Sequence, residues 1–320
     1  MSQHPIVPTP GNNLTTGNNL IKTGNQLLKK GKYNAEIRRD RPTAIVFLID
    51  QSGSMSAGGL QYRGSTLNKA TAVARILNQT LEEIISKSKK DYGLGNYIDI
   101  AVIGYGQNSK SADFISKSIN GTVWLSLSEL EQKAIIKTFK VIKKVRGGGE
   151  KEQEETQHWW FEAIAANQTP MCDALKKATN LLKEWVGKNQ DSYPPTVINI
   201  TDGAATDATN EKLLDAANSL KDLSTNDGNV LLFNCHIEDH DGDALCFPTT
   251  ESDLPDDKYA QLLFRMSSIL PEKYQQEIKK QRSISSDINF VGMSFKSGVG
   301  ELIKMIDVGT ITVQNQIKHS

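Results

Sequence analysis

The order of apolar segments predicts an α/β fold: a doubly wound, mostly parallel, Rossmann-like sheet flanked by helices. Two observations carry it. An unbroken run rich in branched side chains, 44–49, reads as a strand buried on both faces, and further apolar stretches at 97–105 (with Asp99 inside it), 196–200 and 230–237 read as its companion strands. Between them lie longer segments with apolar residues at helical spacing, and strands alternating with helices imply right-handed parallel crossovers.

The first strand, Ala44 to Ile49, ends on Asp50 and passes straight into Gln51-Ser52-Gly53-Ser54-Met55. A carboxylate and two hydroxyls at alternate positions bring three hard oxygen donors onto one small patch. Such donors suit Mg2+ or Mn2+ better than zinc or copper, and Ca2+ shares them. Loops leaving the carboxyl ends of central strands are also where open α/β sheets bind ligands.

Asp50-x-Ser52-x-Ser54 after an apolar strand resembles the metal-ion-dependent adhesion site of von Willebrand factor A domains. Two later segments extend the resemblance. Asn167-Gln168-Thr169-Pro170 precedes the helical pattern MCDALKKATNLLKEWV, and Asp202-Gly203 follows the apolar run 196–200. Taken alone, each piece has a plainer reading as a helix cap or turn. Together, in order, they make a metal site of Asp50, Ser52, Ser54, Thr169 and Asp202. The resemblance covers roughly residues 41–310. It implies one short antiparallel edge strand, direct binding of the cation by Ser52 and Ser54, and action of Asp50 through water. Thr169 and Asp202 are implied to bind directly or through water, and exchange between those modes would couple binding to movement of the last helix. A partner protein's Asp or Glu is implied to complete the shell. The ending, GELIKMIDVGT, is similar to bacterial intracellular A-domain proteins, including those encoded with tellurite-resistance genes. That points to a multi-protein stress-response or regulatory system.

Composition bounds the rest. Lys plus Arg equals Asp plus Glu at 37 each, so no charge bias points to nucleic acid or membrane. Cys172, Cys235 and Cys246 form no disulfide framework and favour a reducing compartment. The first residues lack a secretory signal, and no segment approaches a membrane span, so the expectation is a cytoplasmic protein. Residues 1–35 carry a Gly-Asn-Asn-Leu repeat too glycine-rich for a stable helix, read as a flexible tail or a docking peptide. The domain is expected over 36–312, with insertions near 147–166 and 237–285, and a short tail over 313–320.

Further elements follow in order. Residues 67–87 are expected to be an amphipathic helix, and 114–127 an edge strand or hairpin around Asn120-Gly121. Ser128 to Glu131 reads as a capping box opening a helix through Val145, whose basic end complements its dipole. The insertion then brings an acidic run, 150–155, read as a solvated face. After it come Trp159-Trp160-Phe161, where some rings are expected at a rim as partner anchors. Asn210 to Leu220 reads as a helix. The loop 238–243 is dense in possible ligands but lacks EF-hand spacing. Lys258 to Arg282 reads as helices split by Pro271, Ile288 to Phe295 as the last strand, and Val299 to Val308 as the closing helix.

The function expected is metal-dependent protein binding without chemistry. A hydrolase using Asp50 is the alternative, though Ser52 stands where a phosphoryl-transfer site wants a second acid. No Gly-x-x-x-x-Gly-Lys loop or Gly-x-Ser-x-Gly elbow is present. A passive scaffold with a vestigial site is the third reading.

Overall fold

The computed structural model describes residues 31–90, 93–145, 147–239, 244–283 and 288–317. The repeat-bearing residues 1–30 and most of the ligand-dense loop, 240–243, lie outside the described residues.

The strand β1 (Thr43–Asp50) is buried along its whole length. A small hairpin, β2 (Leu60–Tyr62) with β3 (Ser65–Leu67), leads to α1 (Lys69–Ser88), whose N-cap Asn68 accepts the Thr71 N–H. After the short pair β4 (Lys89–Lys90) and β5 (Gly93–Leu94) come β6 (Ile98–Tyr105) and β7 (Ala112–Phe114). Two small helices, α2 (Lys117–Asn120) and α3 (Leu127–Lys133), precede a long hairpin of β8 (Ile135–Lys144) and β9 (Glu150–Trp159). The remainder is α4 (Met171–Lys188), β10 (Thr196–Thr201), α5 (Asn210–Lys221), β11 (Leu231–Ile237) and β12 (Leu245–Cys246), then α6 (Lys258–Met266), α7 (Glu272–Arg282), β13 (Met293–Ser297) and α8 (Val299–Ile317).

The main sheet has the order β12-β13-β11-β10-β1-β6-β7. Its five inner strands run parallel, whereas β7 and β12 lie antiparallel at the two edges. This is the doubly wound architecture expected, with a second, two-residue antiparallel edge added at β12. Alternation along β1 divides the core. Ile45, Phe47 and Ile49 pack with Val73, Leu77 and Leu81 of α1 and with Leu302 and Met305 of α8. Ala44, Val46 and Leu48 face Leu175 and Leu182 of α4 and Leu213 of α5. A polar ladder crosses the second face, where Tyr105 Oη donates to Asn199 Oδ1 at 2.8 Å and Asn199 Nδ2 to Asn234 Oδ1 at 3.0 Å. Its last link, Asn234 Nδ2 to Ser267 Oγ at 2.9 Å, leaves these buried amides paired.

Three expectations are corrected. The Asn120-Gly121 pair makes no hairpin: Gly121, left-handed at φ 84°, caps α2, and the edge strand lies earlier, at β7. The capping box is Ser126 with Glu129, and the helix it opens stops at Lys133. Residues 135–144, expected as helix, form β8, paired residue for residue with β9. Pairing with a complementary strand decided this: basic β8 meets acidic β9, with Lys140 Nζ 2.8 Å from Glu152 Oε1. The acidic run is therefore a strand, exposed at Glu150, Glu152 and Glu154 as expected of a solvated face.

The aromatic triplet is a fourth correction. Trp159, Trp160 and Phe161 are all buried, at 3%, 8% and 3% exposure, so none is a partner anchor at a rim. Trp159 packs on Phe139 across the hairpin with ring centroids 5.1 Å apart, and Trp160 Nε1 donates to the Leu130 carbonyl at 2.7 Å. Phe161 joins the α1 side of the core. The triplet is accommodated because it straddles the end of β9, where the backbone leaves the strand and aims the rings at different surroundings.

Candidate functional site

Three chain segments meet at the carboxyl ends of β1, β6 and β10. The loop after β1 turns back at once because Asp50 Oδ1 accepts the Ser52 N–H at 2.8 Å. Its fit against β6 depends on Gly106, at φ 125°: a Cβ there would stand 2.4 Å from Ser52 N. The same loop is stitched to the segment before α4, with Ala166 N–H donating to Gln51 O at 2.7 Å and Gly53 N–H to Asn167 O at 3.1 Å. That stitching places Thr169 two residues from a direct contact with the loop. Thr169 is itself buried and clamped, its N–H donating to Thr206 Oγ1 at 3.0 Å and its carbonyl accepting the Thr206 N–H at 3.0 Å.

The side chains form a connected oxygen cluster. Ser52 Oγ and Ser54 Oγ lie 3.0 Å apart, and Ser54 Oγ donates to Asp202 Oδ1 at 2.7 Å. Asp50 Oδ2 accepts from Thr201 Oγ1 at 2.8 Å, tying β1 to the last residue of β10. The structure thus joins Asp50, Ser52, Ser54 and Asp202 through hydrogen bonds and sets Thr169 beside them through its backbone. Burial pushes the Asp50 carboxyl up to about 6, against the opposing hydrogen bonds from Ser52 and Thr201. Nearby His236, stacked on Phe295 with centroids 4.7 Å apart, is held below its ordinary value by burial.

Two members of the cluster escaped the sequence reading. Thr201 orients Asp50, and the only sequence signal for it is its place immediately before Asp202. Lys69, the first residue of α1, reaches back so that Nζ lies 2.9 Å from Asp202 Oδ2. Its signal was a basic residue at a helix start, where the macrodipole disfavours cations.

The donors fit a hard divalent cation. In an octahedral Mg2+ shell with bonds of 2.0–2.1 Å, neighbouring oxygens sit about 3 Å apart, close to the 3.0 and 2.7 Å of the Ser52–Ser54–Asp202 series. Among the described residues no cluster of three or more His, Cys, Asp or Glu side chains forms, so no imidazole- or thiolate-rich site competes with this one. No described helix is long and apolar enough to cross a membrane.

No protein-family model matches the chain, and no curated protein matches it. Among solved structures it is similar to a von Willebrand factor type A protein from Catenulispora acidiphila, at 16% identity and TM-score 0.32, covering 62% of this chain and 34% of that one. It is also similar to the vWF domain of the type V pili tip protein Mfa5 from Porphyromonas gingivalis, at 17% identity and TM-score 0.29, covering 52% of this chain and 39% of that one. The chain therefore spans well under half the length of either.

Proposed function

We propose that this chain is a binding module that captures a partner protein through a divalent cation held by Ser52, Ser54, Thr169 and Asp202, with Asp50 acting from behind. The observation that carries the reading is the Ser52–Ser54–Asp202 oxygen series, spaced as ligands of one ion and mounted at the carboxyl ends of the central strands. Both Asp50 oxygens are occupied by Ser52 N–H and Thr201 Oγ1, which suits the indirect role that the resemblance to adhesion sites implies. A bound Mg2+ or Mn2+ would supply an electrophilic position for a carboxylate oxygen, an Asp or Glu of the partner. The chain's own groups fix the loop and hold the oxygens in place, and the reading assigns no bond-breaking chemistry to any of them.

The test is a calorimetric titration with Mg2+ and Mn2+, followed by affinity capture in Mg2+ and in EDTA. Wild type should bind one ion and retain a protein only with metal, while Ser52→Ala/Ser54→Ala should lose both. Metal-independent retention by both proteins would overturn the reading, and phosphate release from simple esters by the loaded protein would revive the hydrolase alternative.

A further inference from the structure

Asp202 is the one carboxylate in the cluster with a cationic partner. Its side chain is fully buried, that of Lys69 is 11% exposed, and the ammonium stands 2.9 Å from Oδ2. Asp202 is thus divided between two roles: Oδ1 belongs to the serine series and Oδ2 to the lysine. Local rules do not put a lysine there. The first turn of α1 holds no acidic residue, and Lys69 sits where the helix N-terminus already presents positive partial charge. A residue that breaks the local preference and is held by a buried ion pair marks a site under another constraint.

We infer that Lys69 is a built-in counter-cation that sets how tightly this site holds its metal and how strongly the held metal seeks an anion. The inference rests on the metal-binding reading above. Without metal, Lys69 neutralises a carboxylate that would otherwise be buried and unpaired, so the empty site is stable and its hunger for a cation is reduced. With a divalent ion in place, the two aspartates no longer cancel the combined charge of ion and lysine. The site then carries net positive charge and gains from an incoming carboxylate. Lys69 gives up metal affinity in exchange for dependence on an anionic partner, which keeps the ion exchangeable until the partner arrives.

The experiment is a Mn2+ titration of the full chain as wild type, Lys69→Gln, Lys69→Arg and Ser52→Ala/Ser54→Ala, with unfolding temperatures in EDTA and in excess Mn2+. Lys69→Gln keeps a donor for Asp202 but removes the charge. It should bind Mn2+ on the order of tenfold tighter or more, given the strength of charge pairs at such separations. It should also melt earlier in EDTA and show a larger Mn2+-induced rise than wild type. Lys69→Arg, charged but bulkier, should stay near wild type in affinity. Equal or weaker Mn2+ binding by Lys69→Gln, beside wild-type binding that the double serine variant loses, would overturn the role of Lys69 and leave the metal site standing. Absence of saturable binding in both wild type and Lys69→Gln would remove the metal site and this inference with it.

Discussion

Asn78 lies in the middle of α1 and outside the oxygen cluster, yet it holds the backbone of Trp160 and Phe161 in place. Its Oδ1 accepts the N–H groups of Trp160 and Phe161 at 2.7 and 3.1 Å, and its Nδ2 donates to the Phe161 and Ala74 carbonyls. Asn78→Ala would strand two buried amide donors, so a loss of about 2–4 kcal/mol in urea unfolding is expected. Lys221 makes a different kind of prediction. It is buried, donates to the carbonyls of Arg265 and Ser267, and burial pulls its ammonium down to about 8. The unfolded chain therefore binds the proton more tightly, and stability should rise with pH between about 8 and 10.5, by on the order of 3 kcal/mol for this group. Lys221→Met should flatten that part of the pH profile. An unchanged slope between pH 7.5 and 10 would show that the lysine is not charged at a cost in the folded state.

At the scale of elements, the β8–β9 hairpin separates what the sequence discloses from what it withholds. Arg75 of α1 lies beneath it, its guanidinium carbon 4.0 Å from the Phe139 ring centroid. Removing the ring in Phe139→Ala should cost about 1–2 kcal/mol through lost stacking on Trp159 and Arg75. Ile136→Lys, at a side 69% exposed, should stay within about 0.5 kcal/mol of wild type in the same unfolding assay. Those opposite outcomes follow from strand alternation, which was hidden because Ile135, Ile136, Phe139 and Ile142 also satisfy a helical spacing. Only the partner strand, beyond the five residues 145–149 and opposite in charge, resolves the ambiguity. The oxygen cluster was legible for the contrary reason. Asp50, Ser52, Ser54 and Asp202 each sit directly after an unmistakable buried strand, so local pattern alone sets their position. Lys69 and Thr201 act through contacts formed only when β1, β10 and α1 are assembled, and their faint local signals, a basic residue at a helix start and a place beside Asp202, do not name those contacts.

For the molecule as a whole, the three thiols report on integrity. Cys172 and Cys235 are buried, and burial raises Cys235 and Cys246 to about 12. Native protein should therefore react slowly at every thiol with an aromatic disulfide reagent, and all three should react at once in denaturant. Fast labelling of the native state would mean that the β11–β13 edge opens readily. The sheet's polarity has another result. Tyr33 Oη donates to the Asn229 carbonyl, at the end where the strands begin, and α8 starts beside the strand ends and runs back the same way. The Tyr33 contact thus lies at one pole of the sheet, while the oxygen cluster lies at the other, the length of an eight-residue strand or about 26 Å away. A change confined to the Tyr33–Asn229 contact therefore acts a full strand's length from the oxygen cluster.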